Sequence, residues 1–279
     1  MIWLGRIKGT ATGMTIWPRL MMAVAVLGWC LAVPLAQASD FTAREVTQSM
    51  FKADAAKPVD YSGKDLSFLD LAGLDFKRAI LVRTNLYGVD LSASSLVGAN
   101  LSGARLDRAT VVKADFSGAN LEGATIMKPS VFSSVSFDHA DAPKFNGANL
   151  RGARIAARMD GADFRRADLS DAKIGPFDMT VEAGMAPSSF MMGADFSGAI
   201  LAGAEVRNIN FTFARFVGAD MRSAKLLALD FSNADLTGAD LTGADVTGSN
   251  FEGAKLAGAK GLETLAGLQA SKNFDKAVR

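Results

Sequence analysis

One cysteine, one histidine and two tyrosines are all that 279 residues hold of three chemically versatile side chains. Cys30 lies in the N-terminal 38 residues, so a chain trimmed there has no thiol, makes no disulfide and suits an oxidising compartment. His139 stands alone between Asp138 and Asp141, and one imidazole with flanking carboxylates fits a solvated loop better than a metal site or a positioned base. No nucleophile motif, glycine-rich phosphate loop or cysteine and histidine set with zinc spacing occurs. A dominant charge is missing too: 30 Lys and Arg face 29 Asp and Glu. No catalytic residue, metal or cofactor is expected.

Acidic residues are missing from the first 38 positions, where Arg6, Lys8 and Arg19 flank the start of an apolar stretch from Leu20 to Leu35. Ala36-Gln37-Ala38 then has the small-x-small pattern of a cleavage site, so residues 1–38 are expected to be a secretory signal removed before Ser39. The alternative is an uncleaved anchor, but Leu20–Ala36, about 17 residues, is at the short end of what crosses a bilayer. Trp29 stands where a lipoprotein signal wants a small residue, so lipidation of Cys30 is not expected. Met14 is an alternative start that leaves the destination unchanged. Without the three basic residues of the signal, 27 Lys and Arg face 29 Asp and Glu, a net of −2. The expected location is periplasmic or secreted, with no stable membrane insertion after cleavage.

What is abundant is a period. Every fifth residue from Leu66 through Phe76, Leu86 and Leu106 to Ile126 is Leu, Phe, Val or Ile, and the pattern returns from Phe196 through Phe216 and Leu236 to Leu256, with Met221 in the series. Five suits neither a helix nor a strand, so the chain must turn once per repeat to keep these side chains on one side, which makes a solenoid. Alanine recurs two residues before the large centre and Asp or Asn often precedes it, as in Ala234-Asp235-Leu236-Thr237-Gly238 and Ala239-Asp240-Leu241-Thr242-Gly243. This unit closely resembles the pentapeptide repeat family over about residues 64 to 260. The resemblance implies an all-β solenoid, a right-handed four-sided β-helix with one pentapeptide per side and with the large centre and the alanine pointing inward. The repeat domain is placed at residues 61–260, in roughly eight coils and about 40 Å.

A four-sided coil stacks residues 20 apart. Phe211, Phe231 and Phe251 then form a core column, and Ile209 and Leu229, which replace alanine beside it, mark one face as built differently. Charges alternate along Asp195, Arg215, Asp235, Lys255 and along Glu205, Lys225, Asp245, whereas Asp220 lies below Asp240. Residues 39–60 are expected to form a helical cap, with Asp40 or Thr42 at its N-cap and Phe41, Val46, Met50 and Phe51 as its stripe. Residues 261–279, with Leu262, Leu265, Leu268 and Phe274, are expected to form a second. Two interruptions are expected, at about 127–144 and 175–193, together with a one-residue deletion between Ile155 and Met159.

The second interruption carries Met179, Met185, Phe190, Met191 and Met192. Loops leaving a repeat scaffold often carry recognition, so Met185, Phe190, Met191 and Met192 are the candidate interaction residues. Thioethers also suit Cu(I), but no Met-x-x-Met series or histidine cluster accompanies them. Three functions follow. The first is a non-enzymatic structural or protein-binding scaffold of the bacterial envelope, with an unknown protein partner, no nucleic acid and possible homodimerisation through the C-terminal cap, a mode of pairing the resemblance implies. The second, also implied by the resemblance, is a DNA-mimicking inhibitor of a DNA topoisomerase, which needs a strongly acidic cytoplasmic rod. The third is a loop-borne enzyme or metal-binding protein.

Overall fold

The physical logic of the repeat is a complete accounting of five backbone N–H groups. In Asp235-Leu236-Thr237-Gly238-Ala239, the Asp235 N–H donates to Ala214 O at 2.9 Å in the rung before. Leu236 and Gly238 donate to Lys255 O and Ala257 O in the rung after, at 2.8 and 2.9 Å. Ala239 closes the turn onto Leu236 O at 3.0 Å, with Gly238 in the left-handed region at φ 68°. Only the Thr237 N–H finds no backbone acceptor, and the Asp235 side chain accepts it at 3.1 Å. The same bond recurs from Ser67 to Asp65 at 2.8 Å and from Glu122 to Asn120 at 3.2 Å. Asp or Asn therefore precedes the centre because its short acceptor satisfies the one donor the coil leaves orphaned.

The computed structural model describes residues 39–54, 56–134, 138–176 and 189–279. It is a right-handed four-sided coil of parallel rungs. Face 1 runs through Asp60, Ile80, Asn100, Asn120, Asn149, Asp168, Ile200, Asp220, Asp240 and Lys260, ten rungs rather than the eight expected. Nine steps of about 4.8 Å make that face about 43 Å long. Faces 2, 3 and 4 begin at Asp65, Asp70 and Asp75. All the centres of the two five-residue runs are at most 2% exposed, as are the alanines two residues before them. Where Ser or Thr replaces that alanine the hydroxyl is bonded inside, as from Ser249 to Leu226 O at 2.6 Å and from Thr84 to Tyr61 O at 2.8 Å.

Regular strands gather on face 2: β1 (Thr125–Met127), β2 (Arg154–Ala156), β3 (Lys173–Ile174), β5 (Glu205–Arg207) and β7 (Lys225–Leu227) form one parallel sheet. Four of its five centres, Ile126, Ile155, Ile174 and Val206, are β-branched, which favours extended backbone. On face 3, β4 (Ser189–Phe190) pairs with β6 (Ile209–Asn210).

The coil keeps its register through changes of length. Rungs 20 apart give way to 29 at Asn120↔Asn149, 19 at Asn149↔Asp168 and 32 at Asp168↔Ile200, then return to 20. The 19 places the missing residue on the side between Ile155 and Met159. Both interruptions are narrower than expected. Val131, 3% exposed, is still a core centre of face 3, and Ser189 already pairs with Ile209.

Phe211, Phe231 and Phe251 stack at 5.6 and 5.4 Å on face 3. A second ladder on face 4 is longer: Phe116, Phe145, Phe164, Phe196 and Phe216 stack at 5.0, 4.9, 4.7 and 4.9 Å with rings within 4° of parallel. The two ladders meet edge to face, with Phe211 and Phe216 5.1 Å apart.

At the N-terminal end, α1 (Ala43–Lys52) starts at Thr42 through a capping box with Glu45. Val46 and Met50 are buried, but Phe51 is 85% exposed and lies outside the apolar stripe. Asp40 does not cap; its carboxylate accepts from Asp65 N at 2.8 Å and ties the segment to the first rung. The C-terminal segment is not a helical cap of the expected kind. Residues 261–279 continue the coil with sides lengthened to six residues, Ala266, Lys272 and Val278 pairing with Asp245, Asn250 and Lys255. Each longer side opens on a left-handed residue, Gly261, Gly267 or Asn273, followed by a single 3-10 turn. A Cβ on Gly261 would lie 2.3 Å from Thr242 Cα, so the backbone comes too close there for any other residue.

Candidate functional site

Sequence reasoning placed the candidate interaction residues on the second interruption, and the coil has taken most of them back. Met191 is 0% exposed and is the face 3 centre between Met159 and Phe211. Phe190 belongs to β4 and lies against the Arg158 guanidinium, 4.9 Å from ring centroid to Cζ. Met192 is half-buried, and its N–H donates to Asp160 at 2.9 Å, a carboxylate that also accepts from Arg158 Nε at 2.7 Å. Met185 lies outside the described residues, as do Met179 and the processing residues Ala36 and Ala38. These three described side chains thus make a packed corner of the coil. The cause is register: once the 12 extra residues are accommodated, the next pentapeptide must supply a centre, and Met191 is that centre.

The first interruption is pinned equally tightly. Asp141, 3% exposed, accepts from the backbone and hydroxyl of Ser133 and lies 3.4 Å from Lys113 Nζ. The Ser133 hydroxyl is the leading cause that holds this carboxyl below its ordinary value. Asp138 caps the 3-10 turn His139–Asp141. His139 lies across the corner of the coil, where a Cβ on Gly161 would come within 2.7 Å of its Cβ and Cγ, and one on Gly193 within 3.3 Å of its Cε1. Two glycines on successive rungs thus form the notch that seats the imidazole. Among the described residues no three His, Cys, Asp or Glu side chains gather as a metal site.

Among the described residues an open groove of about 500 Å³ lies at the corner between faces 1 and 2, lined by Arg151, Asp171, Arg222 and Ser223 among others. Both arginines are occupied: Arg151 reaches Asp168 and Asp171 at 3.4 and 3.6 Å, and Arg222 grips Asp220 at 2.8 and 2.6 Å. That grip also relieves the like-charge contact of Asp220 with Asp240. The groove holds no converging acid, base and nucleophile.

Surface charge is distributed unequally among the faces. Between residues 105 and 228, face 2 and its corner carry Arg105, Arg108, Lys128, Arg154, Lys173, Arg207 and Lys225 against only Asp107 and Glu205, an excess of five positive charges. The whole chain nets +1. The alternating columns do form, Glu205 pairing with Lys173 and Lys225, and Arg215 with Asp195 and Asp235. Yet no expectation from the sequence singled out face 2, because its column Arg154, Lys173, Glu205, Lys225 has spacings of 19, 32 and 20 and lines up only when the insertions are folded away. An approximate charge count per face, with the insertions aligned, was the signal available.

A parallel four-sided coil built from five-residue sides, with Asp or Asn capping many of its turns, defines a class of repeat scaffold. The family model for pentapeptide repeats matches in eight copies, over residues 62–94, 84–123, 144–174, 191–226 and 230–260, and the chain belongs to that family. Similar solved structures include HetL, a pentapeptide repeat protein involved in heterocyst differentiation regulation from the cyanobacterium Nostoc, 23% identical over 83% of this chain and 94% of that one, with a TM-score of 0.40. QnrB1, a plasmid-mediated fluoroquinolone resistance protein, is 22% identical over 64% of this chain and 90% of that one, with a TM-score of 0.46. A thylakoid-lumen pentapeptide repeat protein of Arabidopsis thaliana is 28% identical over 48% and 81%, with a TM-score of 0.23. A search of curated proteins found no match.

Proposed function

We propose that this coil is a protein-binding scaffold of the bacterial cell envelope. The observation that carries the reading is how the repeat uses its polar groups: backbone donors are consumed between rungs and many aspartates are consumed capping turns, so what the surface offers a partner is flat columns of side chains at strand spacing. Such columns suit recognition of another rigid surface and supply no reacting group. The basic character of residues 1–19 and the small-x-small pattern at Ala36 and Ala38 support export to the periplasm or medium. Pairing of two copies through the C-terminal coil is part of the same proposal, Val278 standing 57% exposed on its last side. Among the described residues no helix is long and apolar enough to cross a membrane.

The alternative of a DNA mimic asks for a continuous acidic rod. The excess positive charge on face 2 counts against it, as does the near-neutral whole. Fractionation with N-terminal sequencing of the recovered protein tests the placement: a chain beginning at Ser39 outside the cytoplasm is expected, and an unprocessed cytosolic chain overturns it. Chemical cross-linking in intact cells tests the scaffold, with a saturable adduct to another protein expected and an absence of any adduct counting against it.

A further inference from the structure

Given the scaffold reading, on which this step rests, we infer that the middle of face 2 docks an acidic segment of the partner protein. The coil neutralises some of its arginines locally, as in Arg165 with Asp163 at 2.8 and 2.6 Å, Arg222 with Asp220 and, on face 2 itself, Arg105 with Asp107 at 2.8 Å. On face 2, Arg108, Lys128, Lys173 and Lys225 are exposed and have no carboxylate within 4.0 Å among the described residues. They fall on rungs spanning about 24 Å of a rigid sheet backed by the buried column Ile126, Ile155, Ile174 and Val206. Glu205, the sheet's own carboxylate, is engaged by Arg207 at 2.6 Å. Lys173 and Lys225 flank that one carboxylate on the neighbouring rungs, so the stretch keeps an excess of positive charge, the arrangement that steers and registers an oppositely charged partner.

Two features favour a protein over other anions. Asp107 and Glu205 break the basic stretch, so its cations do not make the continuous line that a rigid duplex backbone would track, whereas carboxylates on a flexible extended chain can reach them one by one. The stretch also bears none of the exposed large apolar side chains, which lie at Phe51, Phe68, Val97, Ile200, Phe213 and Val278, so the apolar anchor of a membrane-surface binder is missing.

The test uses the full chain recovered from a bacterial host and a fluorescein-labelled polyglutamate peptide of about 20 residues as the probe, followed by anisotropy. The variant R108E/K128E/K173E/K225E is compared with R44E/R78E/R166E/K272E, which changes the net charge identically on other surfaces. Thermal melts establish that each is folded. Polyglutamate affinity should fall at least about tenfold in the face 2 variant and less than about twofold in the control, and should weaken as salt rises. Equal weakening in both variants overturns the inference. So does tighter binding of duplex DNA or phosphatidylglycerol vesicles than of polyglutamate. If the quadruple variant is unfolded, Lys173→Gln and Lys225→Gln, each exposed, are each expected to weaken the peptide about twofold to threefold, and no change in either overturns the inference. Cross-linking separates the two proposals: a charge-reversed chain that keeps its cellular adduct refutes the face 2 assignment alone, whereas a wild-type chain that forms no adduct removes the scaffold reading itself.

Discussion

Two phenylalanine ladders climb the same interior, and only one has equal steps in sequence. Phe211, Phe231 and Phe251 are separated by 20 residues each, whereas Phe116, Phe145, Phe164, Phe196 and Phe216 are separated by 29, 19, 32 and 20. In space the irregular ladder is the tighter, with rings 4.7 to 5.0 Å apart against 5.4 to 5.6 Å. The difference teaches that each five-residue side is a self-sufficient unit. Its hydrogen bonds run to the rungs on either side, so extra residues can leave at a corner and the next side still finds its place.

The comparison breaks most sharply in the core. Phe164→Asp and Phe231→Asp each bury an unpaired charge and should both abolish the folded coil, and Phe164→Ala and Phe231→Ala should each cost about 3–5 kcal/mol by thermal or urea unfolding. Loss in the face 3 ladder alone would mean that the irregular ladder is not a true column. A smaller effect is expected at the corners. Gly161→Ala meets His139 and adds strain at φ 73°, so it should cost about 2 kcal/mol, whereas Gly147→Ala, at φ 65° with open space around it, should cost about 1 kcal/mol. Equal costs would show that His139 is not seated in the notch.

Smaller still are the turn caps. Asp235→Ala orphans the Thr237 N–H and should cost about 1 kcal/mol, while Asp235→Asn keeps the acceptor, as Asn120 does, and should cost less than about 0.5 kcal/mol. The weakest effect is on acid stability. Asp60, Asp235, Asp240 and Asp245 are held below the ordinary carboxylate value of 3.8, chiefly by the hydroxyl two residues on. Because their folded values are depressed, their contribution is full above that ordinary value and is lost as pH falls through the folded values. The urea midpoint should therefore be flat from about pH 7 to 5 and decline below about pH 4, and replacing Asp235, Asp240 and Asp245 by Asn should flatten that decline.

Much of this coil is legible residue by residue. The period of five names every centre of the two runs, and the step of 20 finds Phe211, Phe231 and Phe251. Four things stayed hidden for one reason each. The face 4 ladder is scrambled by insertions whose lengths have no local signature. Met191 and Phe190 look like loop residues because the sequence does not announce where the coil resumes. Gly261, Gly267 and Asn273 repeat at six, which a search at five passes over and the apolar Leu262, Leu265 and Leu268 disguise as a helix. The basic stretch of face 2 depends on the same misaligned register.

The amino-acid order alone determined the coil, since a large centre every five residues, usually with a small partner and often with an Asp or Asn cap, can be kept on one side only by one turn per repeat. Tertiary structure alone decided which residues share a face. That choice rests on where the insertions of 9 and 12 residues and the deletion of one are absorbed, and so on hydrogen-bonded rungs whose paired residues are 19 to 32 positions apart.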